Sequence, residues 1–474
     1  MTISVVAALG AWLVADDWLI GAAVFVIGLI WTLLRAEEGP PVLALAMTFQ
    51  WVQAAIGIFY VALTGRPLEA TLKSDYRPMV AIGLACVAAL SVGLWCGRRW
   101  MSRARLAPGP RPEYTFSLPV LLASYGLAVA AVGGIQQIAW NYPSITQAII
   151  ALTYLRLALL YLLLRRFVRR RAWHFIAPIL AFEVALGLTG FYAGFREPLI
   201  MAVLAFLETF ERRNVRHWAT VGALVVLMCG LGIFWVSVRK GHRERILNDE
   251  EYAQSQSRRL DSVKGELMSN WTSRDPMDLA LDADRFIDRL WAVYYPALAV
   301  QRVPTVLPHT NGRLIEAAVE HLVTPRILFP DKAALGSDSE LVRKYSGVWV
   351  AGEKEQTSIA FGYAAESYVD FGVPIMFVPV CIYGVLMGAA YAGLLRTIRH
   401  RELAVSVTTV IVWLSLYLFE RSWVKTIGLA GTLLIYVGGL SMMLDHFLLS
   451  RSRARAAARG YVGLDLFPAE SPDA

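Results

Sequence analysis

Pro78–Gly97 reads PMVAIGLACVAALSVGLWCG: twenty residues without a formal charge, closed at once by Arg98-Arg99. A helix of that length rises about 30 Å, the thickness of a bilayer's hydrocarbon core. Comparable runs recur on both sides. Working outward, apolar spans are expected at about 3–15, 18–34, 41–64, 78–97, 117–137, 145–164, 173–192, 196–211, 217–238, 372–395, 403–419 and 423–447. Asp16-Asp17 leaves room only for a tight turn between the first two. No small-residue cleavage site follows the first, so it reads as a retained helix. The apolar stretches are continuous rather than alternating, which argues against a β-barrel. The fold class is therefore an all-α polytopic membrane protein of about twelve transmembrane helices.

Composition agrees. Of 474 residues, 57% are hydrophobic and only 17% charged, with mean hydropathy +0.50. Soluble domains carry roughly a quarter charged residues, so a soluble enzyme is excluded. Cys86, Cys96, Cys229 and Cys381 all lie in apolar segments, which suggests neither a disulfide framework nor a CxxC metal site.

Charge sets the orientation, because Lys and Arg concentrate in short cytoplasmic loops. The basic clusters are Arg98/Arg99/Arg103/Arg105/Arg111, Arg165/Arg166/Arg169/Arg170/Arg171, Arg212/Arg213/Arg216, Arg396/Arg399/Arg401 and Arg451/Arg453/Arg455/Arg459. Even numbers of spans separate them, so one orientation places all five inside, with both termini cytoplasmic. The units are then 1–238 with nine spans, a large helical extracytoplasmic loop at 239–371, three spans in 372–447, and a cytoplasmic tail at 448–474. Residues 239–361 hold 17 Lys/Arg against 18 Asp/Glu, and the remainder holds 28 against 19. The net charge of +8 is thus mostly a topology signal, and a nucleic-acid partner has little support.

Within the loop, Ala283–Val300 (ADRFIDRLWAVYYPALAV) and Arg313–Val323 (RLIEAAVEHLV) have the period of amphipathic helices. No HExxH, Walker loop, GxSxG or strand-linked GxGxxG occurs. What remains is cations and a few acids near the outer surface. Arg196, in Gly194-Phe195-Arg196-Glu197-Pro198, sits on a short external turn, against the positive-inside preference. Its planar fork suits phosphate. Arg239 and Arg243 follow the ninth span directly. Arg421 and Lys425, with Glu420, mark the last external turn. His309 and Arg313 flank a glycine, and His321 lies on the following helix. Thr324–Lys332 carries Arg326 and Lys332 between prolines. Glu366 and Asp370 share a helix face at i, i+4, flanked by Tyr363 and Tyr368, and aromatics beside carboxylates often line sugar sites. Inside the membrane, Arg156 and Glu183 lie at matching depths, roughly 15–18 Å from the outer ends. Intramembrane charges are usually paired or functional.

The external Arg196 turn, PRILFPDK (Pro325–Lys332) and AESYVDFG (Ala365–Gly372) running into a helix resemble the Wzy-type oligosaccharide repeat-unit polymerases of O-antigen and exopolysaccharide biosynthesis. These are related to the O-antigen ligases. The resemblance implies a metal-independent glycosyltransferase without cofactors at the periplasmic face of the bacterial inner membrane. Its substrates would be undecaprenyl-pyrophosphate-linked glycans, its surroundings membrane lipid, and a chain-length regulator a further partner. It implies that Arg196 binds pyrophosphate with Arg326 or Arg421 assisting. Arg239, Arg243, Arg313, Lys332, Tyr363, Tyr368 and Lys425 complete the substrate-binding candidates. The acid–base group lies among Glu366, His309 and His321, between which no motif chooses. The alternatives are a lipid-linked glycan flippase or exporter, a membrane acyltransferase, and a non-catalytic subunit of a polysaccharide assembly complex. A flippase often shows two similar halves, and no internal repeat is present here.

Overall fold

The computed structural model describes the chain apart from residues 1, 37–38, 104–114, 143–145, 191–193, 212, 250–251, 253–254, 274, 325–328, 330–335, 353–356 and 459–474. Every regular element among the described residues is helical. In chain order these are α1 (Thr2–Ala15), α2 (Trp18–Leu33), α3 (Val42–Thr64), α4 (Glu69–Lys73), α5 (Arg77–Arg103), α6 (Leu118–Asn141) and α7 (Thr146–Thr153). There follow α8 (Leu155–Arg169), α9 (Trp173–Leu188), α10 (Arg196–Leu207), α11 (Val215–Asn248), α12 (Gln256–Ser273), α13 (Pro276–Leu290) and α14 (Tyr294–Arg302). The last are α15 (Arg313–Val323), α16 (Asp338–Ser346), α17 (Gly362–Phe371), α18 (Phe377–Thr397), α19 (Arg401–Leu416), α20 (Trp423–Thr432) and, after a π-helical turn over Leu433–Gly438, α21 (Gly439–Ala458).

Among the described residues six segments are long and apolar enough to cross a membrane: Val42–Thr64, Arg77–Arg103, Thr146–Arg169, Val215–Arg239, Phe377–Thr397 and Trp423–Ser450. The other six expected spans also fall on helices, but shorter ones. α1, α2 and α9 have 14, 16 and 16 residues, α10 has 12 and α19 has 16. The sixth is the Leu118–Val132 part of α6. By length and composition, six of the expected spans qualify among the described residues.

Apolar side chains of α2, α3, α5, α8, α10, α18, α19 and α20 share one continuous core. Its tightest seam joins α5 to α18. Gly93 and Gly97 on one helix face Gly384 and Gly388 on the other, and a Cβ on any of the four would overlap the partner's backbone. Small residues four apart let two helix backbones touch, so that dispersion and close packing supply the attraction where water is absent.

The segment after α11 forms a small helical unit with its own core of Ala299, Val303, Val342, Tyr345, Val350, Phe361, Ala365 and Val369. α11 carries the candidate span Val215–Arg239, close to the expected 217–238, and runs on to Asn248. Two expectations need correction here. The periodic stretch 283–300 is not one helix, since Trp291 interrupts it. The indole Nε1 donates to Ala54 O at 3.0 Å and the next amide, Ala292 N, to Gln53 O at 3.0 Å. The ring presses on α3 at Gly57, so the tertiary contact ends α13 before its apolar period does. α13 is tied to the same end of the bundle by Asp284, which pairs with Arg66 at 2.9 Å, and by Asp288, which accepts from Glu69 N at 2.9 Å. The expected span at 372–395 also starts later. α17 closes at Gly372, and α18 begins at Phe377.

Candidate functional site

The best-organised polar region surrounds the turn between α19 and α20, residues 417–422. Two glutamines of α3 hold it. Gln53 donates to Tyr417 O at 2.8 Å and accepts from Phe419 N at 3.2 Å. Gln50 donates to Leu416 O and accepts from the Tyr363 hydroxyl at 2.6 Å. From the other side α17 grips the turn: Tyr363 N donates to Arg421 O at 2.8 Å, Trp423 N to Glu366 Oε2 at 2.6 Å, and Trp423 Nε1 to Ser367 Oγ at 2.8 Å. Amides and carbonyls without helical partners are thereby satisfied inside the bundle, and the turn becomes a fixed platform.

On that platform Tyr417 stacks on Trp413, with centroids 5.0 Å apart and planes 17° apart. The Arg421 guanidinium lies 5.4 Å above the Tyr417 ring and donates to Leu414 O at 2.7 Å. The Tyr417 hydroxyl donates to Glu197 Oε1 at 3.3 Å. Glu197 in turn stands 3.9 Å from Arg196 NH2. The Arg196 side chain is 44% accessible, yet its Nε is buried without a hydrogen-bond partner. Glu420 pairs with Arg289 of α13 at 3.5 Å, and its charge acts on Arg196. The charges of Arg289 and of Arg243, one turn along α11, act on Arg239. The result is a rim of arginines from α10, α11, α13 and the 417–422 turn, with Glu197 and Glu420 as its acids. Such a rim can hold an anion by several charge-assisted hydrogen bonds from the accessible guanidinium nitrogens.

Of the arginines read from the sequence, Arg421 lies on Tyr417 and Arg196 beside Glu197, the acid that Tyr417 bonds, while Arg239 and Arg243 stand one turn apart on α11. Tyr417 and Arg289 were not among the residues read from the sequence. Neither carries a local signal, since each reaches Glu197 or Glu420 only through the fold.

The other candidates take different positions. Glu366 is buried, 2% exposed, with one oxygen engaged by Trp423 N. Burial pushes its carboxyl up to about 8, with Asp338 and Asp370 adding to the rise and the Trp423 amide and Lys425 opposing it. It is mainly protonated at neutral pH, which does not suit a base ready to take a proton. His309 Nδ1 lies 3.1 and 3.2 Å from the carbonyls of Tyr368 and Val369, at the C-terminal end of α17, where a ring N–H caps free carbonyls. The same loop is clamped by Asp370, which accepts from Leu314 N at 3.1 Å, Ile315 N at 3.0 Å and the Thr310 hydroxyl. His321 is half-buried on α15, and Arg313 is exposed at its first turn. Tyr363 is spent on Gln50, and the Tyr368 hydroxyl on Val303 O at 3.1 Å. Lys425 pairs with Asp338 at 2.6 Å and donates to Ser358 Oγ at 2.7 Å. Arg326 and Lys332, with nearly all of PRILFPDK, lie outside the described residues. Among the described residues no three His, Cys, Asp or Glu side chains converge as a metal site would need.

A helical membrane protein, with six membrane-length apolar helices among the described residues and a cationic rim at one end of the bundle, is the class that the fold and this site define. The chain belongs to the family described as Domain of unknown function (DUF8712), whose model matches residues 109–391 and so takes in α10, α11, α13 and α17. No curated protein and no solved structure matches it.

Proposed function

We propose that this protein is a membrane glycosyltransferase that joins oligosaccharide repeat units carried on a polyprenyl pyrophosphate. In this reading all twelve apolar segments cross the bacterial inner membrane. Both termini are cytoplasmic, and residues 239–371 cover the periplasmic face. The observation that carries the reading is Arg196: a guanidinium 44% accessible, at the end of the bundle where a lipid headgroup would sit, beside Glu197, the acid that the Tyr417 hydroxyl under Arg421 bonds. Glycosyl transfer from a diphosphate has a good leaving group already. The protein must stabilise the charge that develops on it and orient the acceptor. The bond from the sugar's anomeric carbon to the diphosphate oxygen breaks, the pyrophosphate is taken by the rim, and the acceptor hydroxyl bonds to that carbon. The acceptor proton goes to Glu197, the acid that lies between Arg196 and Tyr417. Glu197 fits that part better than Glu366, whose buried carboxyl holds its proton at neutral pH, and better than His309, which caps a helix.

Deleting the gene and resolving surface glycans by length tests the function. Loss of long chains with single units retained supports polymerisation. Accumulation of lipid-linked units on the cytoplasmic leaflet would replace it with a flippase, and an unchanged glycan profile would remove both.

A further inference from the structure

At the end of α5 remote from the arginine rim, the last two turns carry Trp95, Cys96, Arg99, Trp100 and Arg103 around a crevice of ≈ 430 Å³. Trp95, Arg99 and Arg103 are spaced i, i+4, i+8 and form one stripe. Cys96 and Trp100 form the adjacent one. The Arg99 guanidinium sits 5.3 Å from the Trp95 ring centroid. Arg99, Trp100 and Arg103 are exposed, and neither arginine makes an ion pair with a described residue. Their neighbour Arg98 is used differently, reaching Arg35 O at 3.2 Å and Leu33 O at 3.5 Å on the α2 side. The helix end itself is fixed, because Arg396 of the α18 end donates to Met101 O and Ser102 O and satisfies the carbonyls that a helix terminus leaves open. Two unspent cations and two indoles are thus held on a rigid face at the boundary of a membrane-length helix.

We propose that this crevice is a headgroup site for an anionic phospholipid. The phosphate lies between Arg99 and Arg103, and the indoles of Trp95 and Trp100 pack against the glycerol and upper acyl segments. Three points select a lipid over a soluble anion. The site lies at the end of a spanning helix. Its aromatic half has the amphipathic character that favours the headgroup level. Arginine forks match phosphate oxygens bidentately. The site is separate from the rim and stands whether or not the protein is a glycosyltransferase.

The test uses the full chain purified in a mild non-ionic detergent, with lipid binding followed by native mass spectrometry. Phosphatidylglycerol is expected to bind more tightly than phosphatidylcholine. In the double variant Arg99→Gln/Arg103→Gln, phosphatidylglycerol affinity is expected to fall roughly 30-fold, the loss of two cations near an anionic headgroup. Phosphatidylcholine binding should not change. Size-exclusion behaviour reports whether the variant is folded, which its two exposed positions favour. Arg213→Gln/Arg216→Gln, two exposed cations of another basic cluster, serves as the control for bulk charge. Equal affinity in the first double variant and the native protein would overturn the proposal. An equal loss in the control variant would reduce the effect to surface charge, and competition by millimolar inorganic phosphate would make the site one for a free anion. Either result overturns it as a lipid site.

Discussion

Arg156 of α8 and Glu183 of α9 are joined through a single nitrogen, Arg156 NH1 lying 3.0 and 2.8 Å from the two carboxylate oxygens. Tyr125 of α6 donates to the same carboxylate, so three helices meet at one buried acid. Glu183 is 1% exposed. The pairing satisfies two charges that the apolar surroundings would otherwise penalise heavily. Glu183→Ala leaves the guanidinium unpaired and is expected to cost about 3–5 kcal/mol, a figure taken from soluble proteins. The double variant Arg156→Met/Glu183→Leu should recover most of that loss. Denaturant or thermal unfolding in detergent reads the difference. If the double variant were no more stable than the single one, the uncompensated charge would not be the source of the cost.

At the rim, Arg196→Ala is expected to abolish long surface glycans while the protein stays in the membrane at normal abundance. Arg196→Lys should be strongly impaired, since an ammonium offers a point charge in place of a planar fork. Glycan ladders from complemented deletion cells at matched expression decide this. Near-normal chains from Arg196→Ala would leave the residue as a topology anchor.

Glu366 sets a pH dependence on stability. Its native pKa of about 8 stands above the ordinary 4.5, so the folded protein keeps a proton that the unfolded chain releases. Stability contributed by the neutral form is fully present below about pH 4.5 and is lost as pH rises towards 8. Glu366→Gln keeps an acceptor for the Trp423 amide and cannot ionise. Its melting temperature should therefore fall less than that of the native protein between pH 5 and 9. Parallel curves for the two would show that the carboxyl does not titrate in that range.

The glycine seam between α5 and α18 makes a packing prediction. Gly97→Leu puts a side chain where Val385 O and Ala389 N already lie, and backbone atoms cannot swing aside. Overpacking of this kind costs about 1–3 kcal/mol. Reduced thermal stability is expected for Gly97→Leu, with little change for Gly222→Leu on α11, where the added Cβ meets nothing within 4 Å. Similar losses at both sites would mean that leucine acts through something other than the seam.

Orientation has its own measurement. In a cysteine-free background, Thr305→Cys in the exposed turn after α14 should react with an impermeant maleimide in intact spheroplasts. Reaction only after lysis would place 239–371 inside and move the proposed chemistry to the cytoplasm.

Apolar length and charge made the all-helical class and the Arg156–Glu183 pair readable from sequence. These depend on local quantities: the number of consecutive apolar residues and the depth of a charge along its own helix. Helix ends within the apolar segments were less readable. Trp291 stops α13 by bonding to α3, a break that the apolar period does not show. Roles at the site were least readable. Glu366 and Glu197 are the same residue type near the same surface. One is sealed under Trp423, and the other opens between Arg196 and Tyr417. Arg289 enters the rim from a helix about ninety residues away in the chain. The sequence by itself determines which segments are helical and apolar enough for a bilayer, because transfer free energy is nearly additive along a helix. Only the tertiary structure decides which charges remain unspent, because that depends on the partners that packing brings within about 3 Å, where hydrogen bonds form.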